Sequence, residues 1–267
     1  MITQLLTATG LESRWQALEH FAEYGAWDRE AVERRLLRLL EQERPTRWGQ
    51  YHPLAIDDTK GYRTNKQVWE TCTFHEASAR SPNRTETVRA HNWVAMGDVV
   101  PGRPWIYQPH AARLYYCRSQ LPAGGTFRTK TTLAVELLRQ ADAESAAPIL
   151  RVMDGAYAVD SVVRPCVEPA AGRRRIELVT RMRADARLYH PAVAKLRAKG
   201  RPPKWRPRIA APQHHLYWPV GWQAGRAWVY GRLRYFQCKQ LRCRWAVSGP
   251  AIPVQVFAVE MESYKAP

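Results

Sequence analysis

Pro53-Leu54-Ala55-Ile56-Asp57-Asp58-Thr59 is a short apolar run that ends in acid. The turn-forming Asp58-Thr59-Lys60-Gly61 follows it, so the run reads as a buried strand. A strand that ends this way sets a carboxylate at the rim of a sheet. The pattern recurs at Pro148-Ile149-Leu150-Arg151-Val152-Met153-Asp154-Gly155. Two such strands side by side bring two carboxylates together. Mg²⁺ suits that pair, because it prefers oxygen ligands and is commonly held by one or two carboxylates plus phosphate oxygens. Asp57 and Asp154 are therefore the candidate metal ligands and catalytic residues, with Mg²⁺ or Mn²⁺ as the expected cofactor. Asp58 is the alternative to Asp57, since successive strand residues point to opposite faces and only one of the two can face the site. The competing reading is that both acids are ordinary turn or cap residues after strands, and the pattern alone leaves it open.

The chain around these strands alternates element types. Leu11, Trp15, Leu18 and Ala22 fall on one helical face, and Asp28 is a good N-cap for a second helix with Val32, Leu36, Leu39 and Leu40 on one side. Residues 63–88 are polar and weakly patterned. His91-Asn92-Trp93-Val94-Ala95-Met96-Gly97-Asp98-Val99-Val100 is rich in strand formers, and Trp105-Ile106-Tyr107 with Leu114-Tyr115-Tyr116 makes a third, bent strand. A helix is expected over residues 129–143, with Leu133, Leu137, Leu138 and Ala141 inward. A short helix near 159–163 and a strand over 176–182 follow the second acid-ended strand. Strand, strand, strand, helix, strand, helix, strand is a mixed α/β sheet with an antiparallel start and a parallel finish. The ribonuclease-H-like fold has this order, flanks its sheet with helices and places carboxylates at the same two points. The expected domains are an N-terminal helical segment (1–48), a ribonuclease-H-like core (49–189) and a basic, β-rich insertion (190–267).

The net charge of +17 sits in one place. Residues 173–244 hold 19 Lys/Arg and two acids, while the rest of the chain balances 22 basic against 22 acidic groups. Charge concentrated this way points to a polyanion, and nucleic acid is the commonest. The residues singled out are Arg173, Arg174, Arg175, Lys195, Arg197, Lys199, Arg201, Lys204, Arg206 and Arg208, interleaved with Tyr189 and Trp205. Lysine and arginine neutralise phosphates, and aromatics stack on exposed bases. Trp218, Trp222 and Trp228 are expected in the core of β-hairpins.

Other chemistries are poorly supported. The five cysteines are scattered, which suits free thiols in a reducing cytoplasm. Cys238 and Cys243 below His214-His215 lack the second paired motif of a zinc site. No apolar run is long enough to span a membrane, and residues 1–6 lack the pattern of a secretory signal. Lys130, at the start of the long helix, reads as a phosphate contact or a surface lysine.

Leu54-Ala55-Ile56-Asp57-Asp58-Thr59 with Lys60 resembles the first-acid motif of insertion-sequence transposases of the DDE superfamily endonuclease type. The block 91–98, Arg113-Leu114-Tyr115, Phe127-Arg128-Thr129-Lys130, Asp154-Gly155-Ala156-Tyr157 and residues 180–189 are similar to further blocks of that family, in order. Gly200-Arg201-Pro202-Pro203-Lys204 is similar to its basic arm. The resemblance covers Leu54 to the C-terminus. It implies a ribonuclease-H-like fold, a divalent metal, double-stranded DNA as partner, self-association on DNA, and cutting and joining at transposon ends in a bacterial, nucleoid-associated cytoplasmic setting. One part departs. The family's third acid is a Glu on a late helix, whereas Glu260 and Glu262 lie on a strand-like run, so neither inherits that role. The expectation is a chain cut short before the third acid, which alone would not cleave. Two further readings are a non-catalytic DNA-binding remnant and an unrelated metal-dependent nuclease of the same fold.

Overall fold

The computed structural model describes residues 2–43, 47–65, 67–76, 87–100, 106–121, 123–145, 147–168, 176–191, 207–229, 231–246 and 249–261. The chain divides after Pro45 into two units.

The first unit contains α1 (Ile2–Thr9), α2 (Trp15–Tyr24) and α3 (Arg29–Glu43). The single helical face expected from Leu11 onward is broken at its start. Leu11 precedes a 3₁₀ turn at Glu12–Arg14, and Gly10 adopts φ +67, which only glycine takes without strain. Asp28 caps α3, its Oδ1 accepting from the N–H groups of Glu30 (2.8 Å) and Ala31 (3.2 Å). The expected inward stripe of α3 is corrected: Val32, Leu36 and Leu39 are exposed, and Glu33 and Leu37 are buried instead. That is a rotation of one residue, about 100° around the helix.

The second unit is built on two sheets. The first contains β1 (His52–Tyr62), β2 (Cys72–His75), β3 (Thr87–Val100), β4 (Ile106–Tyr115), β5 (Ile149–Met153) and β6 (Glu177–Thr180). β1 pairs antiparallel with β3 and parallel with β5, and β5 pairs parallel with β6. The far edge of β3 carries β4 along residues 92–100 and β2 along residues 87–90. β2 was not expected. Cys72-Thr73-Phe74-His75 is too short for alternation to stand out in a polar stretch.

α4 (Lys130–Glu144) lies on β3 and β4 and packs against α5 (Asp160–Val167). Thr129 caps α4, its Oγ1 accepting from the Thr132 N–H at 3.1 Å. Leu133, Leu137, Leu138 and Ala141 turn inward as expected, onto Leu54, Ile56, Val94, Met96, Ile149 and Met153. Each fully buried leucine contributes about 1.5–3 kcal/mol, enough to fix the helix on this face. Where β3 meets β4 the register slips between Met96 and Gly97. A Cβ on Gly97 would meet the Gln108 carbonyl and sit 2.7 Å from the Pro109 Cα, so this close strand crossing requires glycine.

The second sheet contains β7 (Leu188–Tyr189), β8 (Arg208–Ile209), β9 (Gln223–Val229), β10 (Arg232–Trp245) and β11 (Ile252–Met261), with the single-turn α6 (Pro212–His215) between β8 and β9. β11 lines one edge of the long β10, and β9 and β7 share the other. A second core forms from Val163, Ala186, Leu188, Cys243, Trp245 and Ile252. The tryptophan expectation is corrected here. Trp218 and Trp228 are exposed, at 54% and 42%, Trp222 is half-buried, and among the described residues Trp245 is the buried tryptophan. Trp228 lies on β9 opposite Leu233, which is exposed too. Trp245 lies at the other end of β10, over the second core.

Candidate metal centre

The pairing of β1 with β5 decides what meets at the sheet rim. Its last described pair is Ile56 with Met153, both in the core under α4. Side chains alternate along a strand, so the next residues, Asp57 and Asp154, fall together on the opposite face. Asp154 follows the end of β5, whereas Asp57 lies in mid-strand: the expected strand end and turn at residues 58–61 are corrected, because β1 runs on to Tyr62 paired with β3. Asp154 opens a 3₁₀ turn, Gly155–Tyr157. Its carbonyl accepts from the Tyr157 N–H at 3.0 Å and from Thr180 Oγ1 at 3.1 Å, which ties the turn to the end of β6.

The electrostatics follow from this crowding. Burial pushes the Asp57 carboxyl above the ordinary value of 3.8, and the Asp58 and Asp154 carboxylates push it further. The Asp58 N–H, donating to Asp57 Oδ1 at 2.8 Å, and the charge of Lys130 pull only partly the other way.

Asp58 faces the other side, in line with Leu54 and Ile56. Its Oδ2 accepts from Asn92 Nδ2 at 2.9 Å and from Lys130 Nζ at 2.5 Å. Burial alone would raise its pKa, but the hydrogen bonds from Lys130 and Asn92 outweigh it and hold the carboxyl below its ordinary value. Lys130 is the first residue of α4, and its ammonium lies 5.2 Å from the Phe74 ring and 5.8 Å from the Tyr115 ring. Lys60, two residues on along the same face of β1, reaches Glu76 at 3.4 Å. The geometry thus separates the two neighbouring acids. Asp57 shares a face with Asp154, and Asp58 is committed to Lys130 and Asn92.

Sequence reasoning reads Lys130 as a phosphate contact or a surface lysine, not as a partner of Asp58, and does not single out Asn92. Asn92 lies in the strand-forming block quoted above, and pairing β3 against β1 sets it opposite Lys60, diagonal to Asp58. That register needs the fold. For Lys130 the helix start was visible, but what it faces was not.

The donor set is all oxygen, which suits Mg²⁺ or Mn²⁺ and not a thiolate-seeking ion. The mutual repulsion of Asp57 and Asp154 is what a divalent cation between them would relieve. Among the described residues no group of three or more His, Cys, Asp or Glu could hold a metal ion. Cys238 and Cys243 point to opposite faces of β10, being an odd number of residues apart, and burial pushes the Cys243 thiol up to about 11.

A second polar constellation lies at the opposite end of β1. His52 Nε2 is 2.6 Å from Asp98 Oδ1, and His52 Nδ1 is 3.3 Å from Ser145 Oγ. Serine, histidine and aspartate in this order suggest a nucleophilic relay. All three are nearly solvent-free, however, and Ser145 Oγ also lies 3.2 Å from the Ala147 carbonyl, so the set pins β1, β3 and the end of α4 together.

Of the basic residues expected to touch nucleic acid, Arg208 lies exposed on β8. Arg173, Arg174, Arg175, Lys195, Arg197, Lys199, Arg201, Lys204 and Arg206 lie outside the described residues. Sequence reasoning did not single out Arg226, Arg232 and Arg242, which stand exposed on β9 and β10. No described helix is long and apolar enough to cross a membrane.

A family model described as DDE superfamily endonuclease matches residues 2–229. No curated protein and no solved structure matches the chain. The matched span takes in both acid-ended strands, the turn after Asp154 and most of the basic stretch, and the chain belongs to the DDE superfamily endonuclease family.

Proposed function

We propose that the chain is a DDE-type transposase acting at transposon ends, with Asp57 and Asp154 holding Mg²⁺ or Mn²⁺. The observation that supports this reading is the pairing of β1 with β5, which brings Asp57, in the middle of β1, beside Asp154, just past the end of β5. The strand order β4-β3-β1-β5-β6, with β1 antiparallel to β3 and parallel to β5, supports a ribonuclease-H-like core. A divalent cation bound there supplies charge stabilisation at the scissile phosphate and activates the attacking oxygen. Asp57 and Asp154 present the anionic oxygens that position it. Lys130 neutralises Asp58, so the adjacent acid does not compete for the same charge. In cutting, a water oxygen bonds to phosphorus as the P–O3′ bond breaks, leaving a 3′-hydroxyl and a 5′-phosphate; in joining, that 3′-hydroxyl bonds to a target phosphorus as the target strand's 3′-oxygen leaves, and in each step the proton lost by the attacking oxygen is balanced by protonation of the leaving oxygen through solvent.

The partner in this reading is double-stranded DNA. The basic stretch, with exposed Arg208, Arg226, Arg232 and Arg242 as its described part, supplies phosphate contacts. DNA affinity that falls steeply with salt supports this, and a flat salt dependence counts against it.

The experiment compares wild type, Asp57→Asn and Asp154→Asn with Mn²⁺ and a duplex carrying the terminal sequence that flanks the gene. Metal-dependent cutting in wild type that disappears in both variants supports the transposase reading. Metal and DNA binding without cutting supports the second reading, a DNA-binding member that does not complete the reaction alone. Absence of metal binding contradicts both roles of the two acids.

A further inference from the structure

Two free thiols meet where two strands compete for one edge of β3. β4 runs antiparallel along that edge, and its last pair is Tyr115 with Asn92. Two more residues in the same register would set Cys117 opposite Ala90. Cys72 already holds that place, since it opens β2 and pairs with Ala90. The chain leaves the edge after Tyr115, and Cys117 comes to rest against Cys72. The Cys117 N–H donates to Cys72 Sγ at 3.0 Å. Covalent bond lengths then keep the two Cα atoms within about 7 Å, the span a disulfide can bridge. The side chains meet as well: burial, then a hydrogen bond with the Cys117 side chain, push the Cys72 thiol up to about 12. Cys72 is buried, whereas Cys117 is half-buried and its Sγ lies 3.6 Å from Ser119 Oγ. The same two segments are tied a second time, by the Tyr116 hydroxyl donating to Glu70 Oε1 at 3.1 Å.

We propose that Cys72 and Cys117 are a redox-modification site, closing to a reversible disulfide when a low-molecular-weight disulfide such as oxidised glutathione is the oxidant. Cys117, the more accessible of the two, reacts first. Its sulfur attacks one sulfur of the small disulfide, that S–S bond breaks, and the first small thiol leaves carrying the Cys117 proton. The Cys72 sulfur then attacks the Cys117 sulfur, the mixed S–S bond breaks, and the second small thiol leaves carrying the Cys72 proton. Two electrons and two protons pass from the protein thiols to the small disulfide, which becomes two thiols. The buried Cys72 never has to meet the oxidant, because its step is intramolecular. The bridge joins β2, an edge strand of four residues, to the end of β4. Phe74 lies two residues beyond Cys72 and Tyr115 two residues before Cys117, with their rings 6.2 Å apart. Oxidation therefore pins the two rings that flank the Lys130 ammonium. None of this depends on the metal-site reading.

The test incubates the folded chain with excess oxidised glutathione, alkylates the remaining thiols and maps the peptides by mass spectrometry, with and without dithiothreitol. The expected result is a linked Cys72–Cys117 peptide, lighter by two hydrogens than its two parts and released by dithiothreitol. Cys72→Ser is expected to stop after the first step, with glutathione kept on Cys117. Cys117→Ser is expected to leave Cys72 alkylated and free of glutathione. The oxidised wild type is expected to melt about 5 °C or more above Cys117→Ser treated in the same way. The wild-type peptide map decides the matter even where a variant fails to fold. Cys117 found alkylated, Cys117 holding glutathione while Cys72 is alkylated, or either cysteine bridged to a third overturns the proposal. A linked peptide without the rise in melting temperature overturns the pinning of β2.

Discussion

Lys130 Nζ lies 2.5 Å from Asp58 Oδ2, joining the first turn of α4 to the middle of β1 across 72 residues of chain. Both side chains keep some solvent exposure, 30% and 25%, so the pair is screened and its contribution stays modest. Its larger effect is on which acid is available, since it neutralises Asp58 and leaves Asp57 to the outer face.

Lys130→Met removes the ammonium and keeps the apolar stem over Phe74 and Tyr115. The expected loss is about 1 kcal/mol at pH 7, read by urea unfolding. The pH dependence has a definite sign. The folded pKa of Asp58 is depressed, so its stabilisation is present above the unfolded value near 3.8 and is lost as pH falls through the lower folded value. In Lys130→Met that acid-side loss shrinks. An unchanged acid limb would show that the lysine does not hold Asp58 in solution.

Asp57 behaves in the opposite sense. Its folded pKa is raised by burial and by neighbouring carboxylates, so it favours the folded state below its unfolded value and that contribution is lost as pH rises through the folded one. At neutral pH without metal the charged carboxylate is a cost. Asp57→Asn is expected to melt roughly 1–3 °C higher than wild type in chelator. Added Mg²⁺ should raise the wild-type melting temperature and leave the variant where it was. A lower melting point for the metal-free variant would contradict the crowding described around Asp57.

Arg151 is the largest fully buried polar side chain, in the middle of β5. Its Nη1 meets Met96 Sδ at 3.3 Å, while Nε and Nη2 have no hydrogen-bond partner among the described residues. Burial depresses its pKa to about 9, the sign of a charge poorly compensated in the core. Such a base loses stability as pH falls through its folded value, so at neutral pH it destabilises the fold. Arg151→Met is expected to gain about 1–3 kcal/mol in urea unfolding. A loss of that size would mean that the arginine has a buried partner, such as an ordered water linking it toward Asp142.

The framework of the first sheet was legible because its signals are local. Apolar runs before acid marked the first half of β1 and the whole of β5, but β1 continues to Tyr62 where a turn was expected, because its second half pairs with β3; Leu133, Leu137 and Leu138 repeat at helical spacing. β2 escaped because four residues cannot establish a period. The side of α3 that packs escaped because its leucines and valine surround the helix more than they stripe it. Asp57 and Asp154 were marked from the chain as candidate acids, but which of Asp57 and Asp58 shares a face with Asp154 depends on the strand register. Asn92 and Lys130 reach Asp58 across 34 and 72 residues of chain, which no local pattern encodes.

The most direct test of the central claim is where a metal binds. Crystals grown or soaked with Mn²⁺ and measured at a wavelength that reveals manganese by anomalous scattering would locate the ion without reference to activity. The account predicts a peak within about 2.0–2.3 Å of carboxylate oxygens from both Asp57 and Asp154, with Asp58 still on Lys130. A well-occupied peak on Asp58 instead of Asp57, or none at this rim while manganese binds elsewhere on the chain, would contradict it.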